Sequence, residues 1–327
     1  MKKQDLSQLA RLGLSSAGVR RGEVLVLAVS GGPDSMALLE VMRKLAPSVG
    51  WRLQIVHVNH GLRPASKREA KLVQAYCAKY KLACSVETLR WPARLRQAKT
   101  RVEETARELR YQVLRKMISQ LGARWIVTAH NADDQVETVV FNFLRGSGVR
   151  GLGGMRTVSG DVIRPWLTVP KTALLKYVKQ HRVPFAVDET NLQPRFTRNR
   201  IRHQLLPILR SYNPKVDEIL LQNSGLFQQA DWVLRDLARQ YMNLIGTVKS
   251  DKVNISISRL RELVPLMQME VVKVAIEKVA GPAYNWRGSH FQEVMKLLAG
   301  PGTQGEKRLP GKLLVARSRD TITISRG

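Results

Sequence analysis

Apolar positions along this chain fall into two patterns, short unbroken runs and longer stretches at helical spacing. Val24 to Val29 is the clearest run, Leu53 to Val58 and Trp125 to Ala129 read as strands as well, and Ala83 to Leu89 alternates as a strand. Short apolar runs rich in β-branched residues predict strands, buried on both faces where the run is unbroken. Between them, helical spacing predicts helices from about Lys3 to Leu12, after Asp34, and over Ser66–Tyr80, Val102–Gln120, Asp133–Leu144 and Lys171–His181. Asp34 or Ser35 is placed to cap the second of these, and Ser66 with Glu69 three residues on reads as a capping box for the third. Strands alternating with helices up to about residue 185 predict a doubly wound parallel α/β sheet.

Beyond that point the pattern changes. Asn213-Pro214 is a chain breaker and sets a boundary between a first domain, residues 1–212, and a second, residues 213–327. Ile219, Leu226, Ala230, Val233, Leu237 and Tyr241 share one helical stripe, so the second domain opens on a long amphipathic helix. Glu262–Val279 and Ser289–Ala299 read as two further helices. Leu313–Ala316 and Thr321–Ser325 then read as a closing β-hairpin. The second domain is therefore expected to be mainly helical and to end in that hairpin. There is no internal repeat and no low-complexity tract.

Charge sharpens this picture. Against 26 Asp and Glu stand 54 Lys and Arg, a formal net charge of +28. Such an excess points to a polyanionic partner, with nucleic acid the first candidate, although a generally basic enzyme would also show it. The two cysteines, Cys77 and Cys84, form no Cys-x-x-Cys motif, which argues against a zinc ribbon, an iron–sulfur cluster or a disulfide framework. No membrane segment is evident, and the N-terminus lacks the apolar core of a signal peptide, so a reducing, cytoplasmic location is expected.

The chemistry concentrates where predicted strands end. After the first strand comes Ser30-Gly31-Gly32-Pro33-Asp34-Ser35, then a helix. Glycines let backbone N–H groups approach an anion, and a helix N-terminus favours negative charge, so strand, turn and helix together suit a phosphate. The motif lacks the Gly-Lys-Ser/Thr of a Walker loop and is not Gly-x-Gly-x-x-Gly; it could also be a tight turn that binds nothing. The second strand ends in His57-Val58-Asn59-His60, where either histidine could equally be structural. The fourth ends in His130-Asn131-Ala132-Asp133-Asp134, with Glu137 three residues beyond Asp134. Carboxylates clustered there can hold a cation, an amine or Mg²⁺, though acidic residues also simply complement a helix dipole. Arg107 and Arg110 share a face of their helix. Residues 145–155, with five glycines among eleven positions, read as a flexible or ligand-hugging loop rather than a helix. Residues 90–101 and 195–203 are basic runs suited to phosphates.

The serine-bracketed loop resembles that of the PP-loop ATP pyrophosphatases, which split ATP between the α and β phosphates. With HVNHGLR (57–63), ARELRY (106–111), TAHNADDQVET (128–138), RGSGVRGLGGM (145–155) and DETNLQPRFTRNRIRH (188–203) in that order, the chain resembles the bacterial tRNA(Ile)-lysidine synthetase family. The resemblance implies an enzyme that uses ATP to adenylate C2 of the wobble cytidine in a CAU-anticodon tRNA(Ile), then adds the ε-amine of L-lysine with loss of AMP.

It further implies that Ser30, Gly31, Gly32, Pro33, Asp34 and Ser35, with His57, Asn59, Arg107 and Asn131, hold the nucleotide, and that Mg²⁺ sits near Asp34. By the same resemblance Arg110 takes the lysine carboxylate, Asp134 and Glu137 take its amine, and His130 lines the pocket. Asp34, Arg110, Asp134 and Glu137 are then the catalytic set. A homodimer is left open.

The rivals are a tRNA thiolase, which would need a cysteine motif, an ammonia-using ligase, for which the charge has no purpose, and a nucleotide-regulated RNA-binding protein. Pyrophosphate release that requires both tRNA and lysine separates all four readings in one assay.

Overall fold

The apolar runs become strands β1 (Val24–Ala28), β2 (Arg52–Asn59), β3 (Ala83–Thr88) and β4 (Trp125–Val127), joined by the very short β5 (Val158–Ser159) and β6 (Val162–Ile163). The computed structural model describes residues 5–59, 61, 65–89, 91, 102–186, 197–249, 251–281, 288–300 and 304–327. The strands assemble in the order β3-β2-β1-β4-β6-β5, all parallel except the β5–β6 pair. Because β2 lies on one side of β1 and β4 on the other, the winding reverses at β1, and a crevice opens at its C-terminal end. Residues 30–35 occupy that end.

Alternation along β1 feeds two cores. Leu25 and Leu27 face one that includes Leu14, Met36, Leu39 and Trp166. Val26 faces the other, with Val56, Ile126, Tyr111 and Leu114. The helices Leu6–Ser16, Pro33–Val49 and Lys171–Gln180 supply the first layer, and Val102–Gln120 the second. The fully buried leucines each contribute about 1.5–3 kcal/mol by leaving water.

Helix boundaries differ from expectation where a better cap exists. The first helix starts at Leu6 because the Asp5 carboxylate accepts from the amides of Ser7 and Gln8. The second starts at Pro33, with Gly32 as its cap, so neither Asp34 nor Ser35 caps it. Proline suits that first position because it has no amide hydrogen to leave unpaired. Ser66 is not a cap either; it is buried inside the first turn of Ala65–Lys79.

The chain separates into two compact units, Met1–Gln228 and Gln229–Gly327. Asn213, where the sequence suggested a boundary, ends one helix (Leu206–Tyr212) just before the next, Val216–Ile245. The division falls inside this longer helix because its first half is tied to the first unit. Leu220 and Leu221 pack against Val136, Val140, Ile201 and Leu206, and Ser224 and Gln228 hydrogen-bond to the Gly153 carbonyl. The stripe expected to be its core face is largely outside: Leu226 is 62% exposed and Val233 46%. Ala238 and Met242 on another face are buried instead.

The second unit carries more strand than the sequence suggested. Strands β7 (Gly246–Lys249), β8 (Lys252–Ser256) and β9 (Gly305–Leu309) join the expected hairpin, β10 (Leu313–Arg317) with β11 (Thr321–Arg326). Together they form a five-stranded antiparallel sheet ordered β7-β8-β11-β10-β9. Val253, Ile255, Val315, Ile322 and Ile324 pack on the helix Pro265–Ala280. Among the described residues no helix is long and apolar enough to cross a membrane.

One buried charge ties helices of the first unit together. The Glu40 carboxylate accepts from Arg43 at 2.7 and 2.8 Å, from Lys44 at 2.9 Å and from the Tyr76 hydroxyl. Burial alone would raise the Glu40 pKa, but these donors outweigh it and bring it down to about 2. A carboxylate with a depressed folded-state pKa stabilises the fold above its unfolded value of 4.5 and loses that contribution as pH falls towards 2. Glu40→Gln should therefore lower stability at pH 7 by about 2–3 kcal/mol and flatten the acid limb below pH 4.5, as read by denaturant melts across pH.

Candidate active site

The turn after β1 is built around the Ser35 hydroxyl. It accepts from the amides of Ser30 (3.2 Å) and Gly31 (3.1 Å), donates to the Gly32 carbonyl (3.0 Å), and lies 3.1 Å from the Ser30 hydroxyl. Gly31 has φ +91°, a left-handed conformation that a side chain would oppose. The loop thus closes on itself and presents the start of the Pro33–Val49 helix, with Asp34 in its first turn, at the sheet's switch point.

Asn131 connects that loop to the next strand end. It caps the helix Ala132–Leu144: its side-chain oxygen accepts from the Asp134 amide, and the Asp134 carboxylate accepts from the Asn131 amide, both at 3.1 Å. Its remaining donor, Nδ2, reaches Asp34 Oδ2 at 3.1 Å. The other oxygen of Asp34 is buried and has no hydrogen-bond partner among the described residues. Burial, with the charges of Asp134 and Asp133, pushes Asp34 up to about 6 against the pull of Lys171 and Arg202.

The carboxylates beyond the cap divide. Asp133 turns aside and accepts from the amide of Lys171, at the start of the neighbouring helix (2.9 Å). Asp134 and Glu137 share one cation, Arg202, whose Nε lies 2.5 Å from Glu137 and whose Nη2 lies 3.5 Å from Asp134. Burial pushes Glu137 above its ordinary range despite Arg202. Among the described residues no three acidic, His or Cys side chains cluster to cage a metal. An orphaned Asp34 oxygen fits Mg²⁺ nonetheless, since that ion is usually held by one or two carboxylates together with substrate phosphates.

A basic pole faces this acidic one. Arg107 and Arg110 stand 5.2 and 5.4 Å from the centre of the Tyr111 ring. Arg164, at the end of β6, is buried and donates from Nη1 to the Arg156 carbonyl (3.1 Å). Burial and the charges of Arg110, Arg164, Arg107 and Arg198 hold His130 well below its ordinary pKa, so it is neutral, with Nδ1 2.8 Å from the Thr128 hydroxyl. His57 is buried, and burial likewise lowers its pKa. Its Nδ1 lies 2.9 Å from the Val29 carbonyl, which assigns the proton there and leaves Nε2 as an acceptor without a partner among the described residues. Asn59 uses its side-chain oxygen on the Gly61 amide (2.8 Å).

The sequence-selected residues on β1, β2, β4 and the helices after β1 and β4 therefore lie along one sheet edge, and Arg107 and Arg110 reach the same pole as His130. Two expectations change. Residues 145–155 are neither loose nor free of helix: Val149–Leu152 forms one turn. Gln135, Ser224 and Gln228 pin the carbonyls of Gly153 and Met155, and Met155 donates its amide back to Gln135. From the basic run 195–203, Arg202 faces carboxylates rather than open surface. His60, residues 90 and 92–101, and most of the 188–203 motif (188–196) lie outside the described residues. Sequence reasoning missed Arg202 and Arg164. The first was hidden among like charges, whereas the second was signalled by a lone cation inside the apolar run Val162–Leu167.

Comparison with known proteins bears on the family and the fold. Residues 2–209 match the PP-loop domain family. The chain is 30% identical to the tRNA(Ile)-lysidine synthase of Thermotoga maritima, over 72% of this chain and 67% of that one. It is 31% identical to the tRNA(Ile)-lysidine synthase of Bacillus subtilis, over 93% and 66%. The U34-tRNA thiolase NcsA of Methanococcus maripaludis superposes with a TM-score of 0.58 at 14% identity, covering 68% of this chain and 78% of that one, which speaks to fold alone. The chain spans between about half and two thirds of the length of the curated relatives it matches. With a PP-loop match over most of its length and that kinship across two thirds of a curated relative, the protein belongs to the tRNA(Ile)-lysidine synthase family of ligases.

Proposed function

We propose that this chain forms lysidine at the wobble cytidine of a CAU-anticodon tRNA(Ile), using ATP and L-lysine. The observation that carries the reading is the Asn131 bridge, which fixes the nucleotide loop and the carboxylate pair in one frame. The cytidine O2 attacks the α-phosphorus of ATP, and pyrophosphate leaves. The lysine ε-nitrogen then attacks C2, the C2–O bond breaks, and AMP departs.

The residues divide this work. Amides of the Ser30–Ser35 turn and the first turn of its helix offset phosphate charge as it develops. The unpartnered His57 Nε2 offers an acceptor beside the loop, and Asn59 and Arg107 complete the nucleotide pocket. Asp34 would hold Mg²⁺, which when bound offsets the charge of the phosphates. Arg110 takes the lysine carboxylate, beside a neutral His130. Asp134 and Glu137 take the ammonium in competition with Arg202. The raised pKa of Glu137 suits it to accept the proton the amine must lose.

The net charge of +28 supports tRNA as the macromolecular substrate. The thiolase alternative is disfavoured by the cysteines. Cys77 is buried in the core behind the sheet, and Cys84 lies near the start of β3, at the sheet end opposite the loop.

Asp134→Asn should abolish transfer of labelled lysine to tRNA; near-normal turnover in nucleoside analysis would refute the assignment. Asp34 gives a prediction of opposite signs for activity and stability. Its folded-state pKa of about 6 lies above the ordinary 3.8, so its contribution to stability is full below pH 3.8 and lost as pH rises through 6. Asp34→Asn should therefore stabilise the ligand-free protein at pH 7.5 by up to about 3 kcal/mol while abolishing pyrophosphate release. Wild-type activity should fall as pH drops through about 6.

A further inference from the structure

Among the described residues two buried donors at the basic pole, Arg110 Nε and Arg164 Nε, have no hydrogen-bond partner, and the buried Tyr111 hydroxyl meets only the Arg164 side chain. All three offer a hydrogen. Among the described residues Arg107, Arg110 and Arg164 pair with no carboxylate, whereas Arg43, Arg115, Arg202, Arg210 and Arg235 all do. A buried guanidinium without an anion is costly, and proteins retain one where a ligand supplies the charge.

We infer that Arg164 and Tyr111 join Arg110 in a carboxylate subsite that reads the α-carboxylate of the amino-acid substrate. The inference rests on the proposed lysine transfer and extends it to a requirement for a free carboxylate.

Arg164 is held for this task before any ligand arrives. It follows the two-residue strand β6 directly, its amide donates to the Thr157 carbonyl at 2.7 Å, and its Nη1 is fixed on the Arg156 carbonyl at 3.1 Å. Pro165 and the fully buried Trp166 follow, so the backbone cannot swing. Nε is left with no hydrogen-bond partner among the described residues. Tyr111 is carried on the same helix as Arg110, one residue away. Burial would raise its phenol, but the charges of Arg107, Arg164 and Arg110 and a hydrogen bond with Arg164 outweigh burial and lower it, so the hydroxyl sits in a cationic enclosure beside Arg164.

A phosphate is the competing anion, but the turn amides and helix N-terminus after β1 already serve phosphates. An extended amino acid with opposite charges at its two ends matches an acidic pole at Asp134 and Glu137 and a basic one here.

The test compares lysine with cadaverine, which keeps the amine and lacks the carboxylate, and with lysinamide. Pyrophosphate release with tRNA, ATP and lysine together is followed separately. Wild type should prefer lysine to cadaverine by about 100-fold or more in kcat/KM. Arg164→Gln should raise KM for lysine by about 30-fold, and Tyr111→Phe by about fivefold. Both should narrow the lysine–cadaverine ratio by the same factors and leave KM for ATP within about threefold. Arg164→Lys, which keeps the charge, should recover part of the loss.

An unchanged ratio in folded Arg164→Gln, or a rise in KM for ATP instead, would overturn the inference. If the variants do not fold, wild type accepting cadaverine or lysinamide as well as lysine overturns it by itself. Absence of pyrophosphate release from wild type with tRNA, ATP and lysine all present would instead remove the parent reading, and this one with it.

Discussion

The site depends on one side chain. Asn131 spends its oxygen capping the helix that carries Asp134 and Glu137, and its amide nitrogen on Asp34 of the nucleotide loop. A cap is ordinarily worth about 1 kcal/mol to its own helix. Here the same residue also sets the spacing between two strand ends, so any displacement of the carboxylate pair moves the loop with it. An aspartate would cap equally well but would bring a further negative charge against Asp34, which Asp133 and Asp134 already push upward. Only an amide satisfies both partners.

Around that bridge, charge is segregated. Acidic groups collect at the start of one helix, offset by Lys171 and Arg202, and basic groups collect around Tyr111 and His130. Each pole is strained in its unliganded form. Asp34 and Glu137 are held above their ordinary pKa, His130 below it, and among the described residues Arg110 Nε and Arg164 Nε lack partners. These departures raise the energy of the free protein, and a ligand of complementary charge relieves them. The fold bears the cost through two apolar cores sandwiching the sheet, and through the Glu40 network, in which buried charge is fully paired.

Much of the first unit was legible because its signals are local. The strands at Val24, Arg52 and Ala83 and the helix Val102–Gln120 follow directly from run length and periodicity. Helix starts were less legible: a cap is decided by which of several adjacent polar residues reaches the amides, and Asp5 and Gly32 prevailed over nearby candidates. The helix Val216–Ile245 carries apolar residues on more than one face, so periodicity could not say which face is covered. In the second unit, Lys252-Val253-Asn254-Ile255-Ser256 alternates cleanly, but five residues are too few to separate from a turn without their neighbours.

What the sequence determined by itself is the set of groups and their order: a glycine turn after a buried strand, carboxylates at a helix start, arginines on one helical face, and an excess of positive charge. Those follow from covalent neighbours and short-range periodicity. What only tertiary structure decided is which groups meet. Asp34 and Asn131 are 97 residues apart and Glu137 and Arg202 are 65 apart, and nothing local specifies either pairing. They meet because the sheet places β4 beside β1, and because the segment bearing Arg202 packs Ile201 and Leu206 against Val136 and Val140. Apolar burial makes those contacts, and the polar chemistry is carried into position by it.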